Sequence, residues 1–285
     1  WEALGRLRDG SDPDLAGLVG ERLLTADIWG FGCLGGGTRC GVAINSALLA
    51  AIVGVVSTLL GLVLALVVQR GGKRYAGLLK VMSILPIITP PFVIALALVV
   101  LFGRTGLVTS WLDAAFGIGR SRWIYGLPGV ALAQLLTFTP VAFMLLFGAL
   151  GAISPALEEA AQTLRASRGR VFRTVTWPLL RPALANAFLL GFVESLADFG
   201  NPIVLAGNFD VLSTKIFFAV AGAQYDAGRA AVLAMVLLAL TLLAFFLQQR
   251  WVGRLSYVTV SGKGDGGAPA DLPRKLWLAC FTIAA

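Results

Sequence analysis

Histidine is absent from all 285 residues, and only 13% of the chain is charged. The first absence removes imidazole as a general base, proton shuttle or metal ligand. The second excludes an ordinary soluble domain, in which about a quarter of the residues carry charge. Cysteine is scarce as well. Cys33, Cys40 and Cys280 do not fall into the paired spacing of a thiolate metal site. A disulfide between Cys33 and Cys40 is left open, because the glycines between them give flexible chain and nothing else argues for the pairing. No G-x-x-x-x-G-K-[ST] occurs, so the chain carries no phosphate loop of its own. The stretch SGKGDGG at 261–267 reads instead as a Gly-rich linker. No aromatic-plus-basic platform or groove-reading motif points to nucleic acid. No initiator Met or signal pattern stands at Trp1, and the chain stops inside the apolar run LWLACFTIAA. The expectation is a piece of a longer protein.

What is present is apolar residues in long runs. They make up 58% of the chain, and its mean hydropathy is +0.84. Five runs, at about 43–69, 77–102, 127–150, 182–206 and 230–249, approach or exceed the roughly 20 residues a helix needs to cross the hydrocarbon core. The runs are continuous rather than alternating, which predicts an all-α integral membrane protein in contact with lipid, not a barrel. The net charge of +8 then reads as basic residues guarding one membrane face. If residues 1–42 lie outside, fourteen of the 23 Lys and Arg fall on inner segments. The nine outside are matched by nine acids, six of them before Ala43. The positive-inside rule therefore puts 1–42 outside, and the segments 154–181 and 261–285 in the cytoplasm.

The first span carries Ser46, Ala50, Gly54, Ser57, Gly61 and Ala65 at intervals of four and three. These residues share one face and predict close helix packing. The second span contains Pro86, Pro90 and Pro91, and the third contains Pro140. Proline removes a backbone hydrogen bond, and such positions survive in a membrane where protein or a wet cavity satisfies the freed carbonyls. Both a simple kink and the wall of a translocation pathway fit Pro90 and Pro91.

The most charged segment lies between spans three and four: EEAAQTLRASRGRVFRTVTWPLLRP, Glu158 to Pro182. Ser154 and Pro155 suit the start of a short helix, and Glu158 and Glu159 follow within its first turns. Ser167 suits the start of a second short helix, whose Val171, Phe172 and Val175 form an apolar edge. Pro178 and Pro182 are expected to mark the turn into the fourth span. Any amphipathic interfacial loop could share this composition. The ordered spacing is more specific. It resembles the EAA motif of binding-protein-dependent ABC importer permeases: EAA, three residues, Gly, six residues, Phe, two residues, Ile, one residue, Leu-Pro. Glu159, Ala160 and Ala161 match the head, with Phe172, Val175 and Pro178 in register. Arg165 stands at the Gly position and Trp177 at the Leu position.

The resemblance implies a five-helix core of the type I importers, over a permease domain at 43–260. It implies that 154–181 is a coupling loop, with Glu158 included beside the motif residues, docking on a separate dimer of ATP-binding subunits. ATP would then be bound and hydrolysed by that partner, and the chain itself would be no enzyme and hold no cofactor. An extracytoplasmic binding protein would deliver substrate.

Within the fourth span, Glu194 and Asp198 are four residues apart, which places them on one face of a straight helix. Glu194 would stand about 18 Å along the helix from Pro182, near the bilayer centre. Ionisable groups there usually face a partner or a polar cavity. An internal hydrogen-bonded pair, a hydrophilic lining of the substrate path and a proton relay all fit. Asn201-Pro202 predicts a bend or end near Gly200. The stretch ESLADFGNPIVLAGNFDVLSTKIF also resembles the ferric-iron branch of the importer permeases, whose members often carry two such halves in one chain. The extension at 261–285 fits a linker and the start of a second half. Carboxylates suit a hard cation such as ferric iron, but two acids are not a metal site, and no metal ligands are assigned. Pro90, Pro91, Glu194, Asp198, Asn201 and Pro202 are the candidate pathway residues. Thiamine, polyamine, phosphonate and sulfate permeases share the motif, and an ion-coupled carrier using Glu194 and Asp198 is the reading from another class. A membrane enzyme is disfavoured by the lack of a nucleophile with a base.

Overall fold

The computed structural model describes residues 23–32, 40–70, 73–117, 119, 122–223 and 225–252. Most of 1–42, all of 261–285 and Cys33 lie outside these residues. Cys40 is disulfide-bonded. The described residues form helices α1 (Ala26–Trp29), α2 (Val42–Arg70), α3 (Lys73–Ile84), α4 (Pro91–Phe102), α5 (Leu107–Phe116) and α6 (Leu127–Gly151). They continue through α7 (Pro155–Thr163), α8 (Arg168–Ala197), α9 (Gly200–Leu205), α10 (Leu212–Ala221) and α11 (Ala227–Val252). Among the described residues, five helical stretches are long and apolar enough to cross a membrane: α2, Pro91–Phe116, α6, α8 and Ala227–Trp251.

Helix α2 is the axis of the bundle, packed on α6 and α8, which also pack on each other. Small residues set the spacing. Ser46, Ala50, Gly54, Ser57, Gly61 and Ala65 are all buried. A Cβ on Gly61 would stand 2.8 Å from the backbone nitrogen of Phe143, so α2 and α6 touch main chain to main chain. A Cβ on Gly54 would stand 3.0 Å from the Phe188 ring, and one on Gly191 would stand 2.9 Å from Ser57 Oγ. With lipid as apolar as leucine, this close van der Waals contact is what holds membrane helices together. Leu62, Leu66, Phe143, Leu146 and Leu180 fill the core near the Arg70 end. Leu49, Val53, Leu98, Val130 and Leu205 fill it nearer the Val42 end.

Two expected spans are broken where the sequence carries its special residues. The run at 77–102 is not one kinked helix. Helix α3 gives way to a 3₁₀ turn, Leu85–Ile88, and the chain then extends through Thr89 and Pro90 before α4 starts with Pro91 at its first position. A proline here has no N–H to offer the preceding turn, but it suits the start of a new helix. The fourth span is displaced toward the N-terminus relative to 182–206. Pro178 and Pro182 do not mark a turn but lie inside α8, which runs to Ala197. The missing N–H of Pro178 is preceded by a π turn at Phe172–Thr176, where Trp177 N–H bonds the Phe172 carbonyl. This widened turn lets the helix pass the proline. Helix α10 fills part of what the sequence suggests is an outer loop.

Candidate functional site

Helix α7, the turn after it and the start of α8 carry the motif residues. Ser154 occupies the position before the helix, with extended backbone at φ −63° and ψ 126°, but its hydroxyl makes no capping bond. Glu158 turns inward and is 2% exposed, so its side chain is withdrawn from any docking face. Its Oε1 accepts a hydrogen bond of 2.8 Å from Thr176 Oγ1 and pairs with Arg70 Nη2 at the end of α2. Glu159, Ala160, Gln162 and Thr163 point outward and Ala161 is half-buried. Leu157 is 50% exposed and Leu164 is 84% exposed. The outward face is thus polar with two uncovered leucines.

The glycine position of the motif has a physical explanation in this chain. Arg165 has φ 60°, the left-handed conformation that glycine adopts without penalty. Its N–H bonds the Gln162 carbonyl at 2.9 Å, and Ala166 N–H bonds the Ala161 carbonyl at 3.1 Å. These are the two bonds of a Schellman termination. The arginine therefore takes the conformation that suits glycine. Phe172 is half-buried and packs against the Leu62–Phe143 core, 6.3 Å from the Trp177 ring. Val171 is buried, Val175 and Pro178 are half-buried, and Arg168, Arg170, Arg173 and Arg181 are exposed. Sequence reasoning did not find the roles of Arg70 and Thr176. Arg70 is 88 residues away from Glu158, and no local pattern announces the pairing.

The two intramembrane acids do not share a face. Helix α8 stops at Ala197, and Asp198 has ψ 117°. Glu194 is exposed on the outside of the chain. Asp198 turns toward α9, where its Oδ1 accepts from Gly200 N–H at 2.9 Å and Asn201 N–H at 3.3 Å. Its Oδ2 accepts from Gln134 Nε2 at 2.9 Å and Asn201 Nδ2 at 2.8 Å. Ser195 Oγ donates to Gln134 Oε1, and Ser213 Oγ donates to the Asp198 carbonyl. Asp198 thus caps the half-helix α9 and ties together α6, α8 and α10. A relay between Glu194 and Asp198 has no geometric basis, since both Asp198 oxygens are engaged elsewhere. Among the described residues, no group of three or more His, Cys, Asp and Glu gathers at one place.

The two helix breaks meet. A Cβ on Gly200 would lie 3.5 Å from Phe92, directly after the Pro90-Pro91 break. Pro90, Pro91 and Glu194 are exposed, whereas Asn201 and Pro202 are buried. At the Val42 end of the bundle, a cavity of about 720 Å³ opens between Asp27, Asn45, Arg122, Tyr125 and Asp210.

Residues 57–257 match the family described as binding-protein-dependent transport system inner membrane component. The chain is 50% identical over 243 residues to the ferric transport system permease protein FbpB of Actinobacillus pleuropneumoniae, an alignment covering 85% of this chain and 35% of that protein. It therefore spans about a third of that relative's length. It is 35% identical over 205 residues to the sulfate transport system permease protein CysT of Escherichia coli (strain K12), covering 68% of this chain and 71% of that one. The fold is similar to a chain in the crystal structure of a bacterial alginate ABC transporter in complex with alginate pentasaccharide-bound periplasmic protein. The TM-score there is 0.63 at 22% identity, over 75% of this chain and 79% of the other. With most of its length inside the family match, and with five stretches among the described residues long and apolar enough to span a bilayer, the chain belongs to the family of binding-protein-dependent transport system inner membrane components.

Proposed function

We propose that the chain is a permease half of an ATP-driven importer that carries ferric iron into the cytoplasm. The observation that carries this reading is the outward face of α7. It presents Glu159, Ala160 and the exposed Leu157 and Leu164, closed by a left-handed bend at the motif's glycine position. A short helix held on the surface with two uncovered leucines suits docking on another protein. That protein is a dimer of ATPase subunits, since the sequence has no phosphate loop to supply the hydrolysis itself. The loop lies on the cytoplasmic side and residues 1–42 lie outside, in line with the distribution of Lys and Arg. The cavity at the Val42 end receives substrate from an extracytoplasmic binding protein.

Glu194 belongs to the translocation pathway together with Pro90 and Pro91. An exposed carboxylate on a spanning helix is costly against lipid, and it is stable where a second permease half or water covers it. The second half is either in the same chain or another subunit. Ferric iron is favoured over sulfate by the higher identity to the ferric relative, 50% against 35%.

Co-purification tests the docking. The full-length protein, expressed with its cognate ATPase, is expected to retain that subunit through affinity purification. The double variant Glu159→Lys, Ala160→Trp is expected to lose it while still inserting in the membrane. Retention of the ATPase by the double variant, with transport intact, would overturn the proposal.

A further inference from the structure

We propose that Arg70, Glu158 and Thr176 form a positioning clamp, which makes α7 move as one body with the end of α2 and the base of α8. The inference rests on the reading of α7 as the coupling helix and says how its displacement reaches the bundle.

Three observations carry it. Among the described residues of α7, Glu158 is the one that is buried; no apolar side chain of this helix is. The helix is therefore anchored by a charge. That charge meets two elements at once, the C-terminus of α2 through Arg70 and the π turn of α8 through Thr176. All three side chains are withdrawn from solvent: Arg70 is 8% exposed, Glu158 2% and Thr176 0%.

The placement is also electrostatically consistent. Arg70 sits in the last turn of α2, where the helix dipole favours a cation, and Glu158 lies early in α7, where it favours an anion. A buried ion pair gives less net stability than an apolar contact of the same size. What it gives in return is a fixed geometry, because a misplaced partner leaves a bare charge in a low-dielectric site. An apolar anchor could slide by an ångström under load with little loss, and this anchor cannot. Pro155 and Ala161 of the same helix are half-buried. A half-buried Ile153 precedes α7, and a left-handed residue follows it. Force applied to α7 thus enters the bundle through the clamp, at its axis α2 and at the base of α8.

The test uses the full-length protein reconstituted with its ATPase and binding protein in proteoliposomes. Iron-55 presented as ferric ion on the binding protein is the probe. Two quantities are read: ferric ion transported per ATP hydrolysed, and ATPase retained on the complex. Glu158→Gln keeps the shape of the side chain and its bond from Thr176 but removes the charge. It is expected to lower the transport-to-hydrolysis ratio about tenfold, with the ATPase still bound and hydrolysis within about twofold of the unmodified protein. Arg70→Lys, which keeps the charge, is expected to retain more of the ratio than Arg70→Met. Thr176→Val removes a single hydrogen bond and keeps the fold accessible if the charge variants do not assemble. It is expected to lower the ratio about two- to threefold. A role confined to stability would lower transport and hydrolysis together and leave their ratio fixed; that result, in any variant that assembles, would overturn the clamp. If the unmodified protein neither retains the ATPase nor transports on ATP, the coupling-helix reading itself fails and the clamp falls with it.

Discussion

Arg165 holds a left-handed conformation that glycine adopts without penalty. Its φ of 60° costs an L-residue about 1 kcal/mol relative to glycine. Arg165→Gly should therefore stabilise the loop by about 0.5–1 kcal/mol. Slower amide exchange at Ala166 would check this, since its N–H closes the turn. Asp198 and Glu194 make the opposite comparison. Asp198→Ala would leave Gln134 Nε2 and Asn201 Nδ2 without their shared acceptor and α9 without its cap. The expected loss is about 3 kcal/mol, seen as a lower thermal midpoint of the detergent-solubilised protein. Glu194→Gln should leave that midpoint unchanged, because the side chain is exposed in this chain. The sequence placed both acids in the fourth span and assigned them one face. It could not show that the helix ends between them, which depends on hydrogen bonds from Gly200, Asn201 and Gln134 to one carboxylate.

At the scale of elements, the small-residue face of α2 was legible because a helical period of 3.6 acts along the sequence itself. Its partners were not, because they come from α6 and α8. Gly61 and Gly148 now separate a contact from a mere composition effect. A methyl on Gly61 meets the backbone of α6 at 2.8 Å, and backbone cannot rotate away. Gly61→Ala should lower stability by about 1–3 kcal/mol through overpacking. Gly148→Ala has nothing within 4 Å of the added methyl and should be neutral or mildly stabilising. Thermal midpoints of the two variants, compared side by side, check the assignment. Proline gave a less reliable signal than glycine. Pro90 and Pro91 break the second span and start α4, whereas Pro178 and Pro182 are absorbed in α8 after a π turn. The difference lies in what surrounds each proline, not in the residue. The short helix α10 escaped notice because Ser213, Thr214 and Lys215 leave its ten residues without a long apolar run.

At the scale of the whole molecule, the fold follows from a few physical facts. Long apolar runs require helices in lipid, close-packed small residues join them, and a charged loop is excluded from the hydrocarbon. The motif in that loop was read from spacing, and α7 turns its Glu159 and Ala160 outward. The pair that holds the loop in place was beyond the reach of the sequence, since it joins residues 88 apart. The chain spans about a third of the length of its ferric relative. The proposed ATP-driven import of ferric iron is tested most directly by uptake of iron-55. Proteoliposomes would hold the full-length permease and its ATPase, with the ferric-loaded binding protein outside and ATP inside. The account predicts accumulation that requires both ATP and the binding protein and is not replaced by a pH gradient. Uptake that proceeds without ATP, driven by a proton gradient alone, would contradict it.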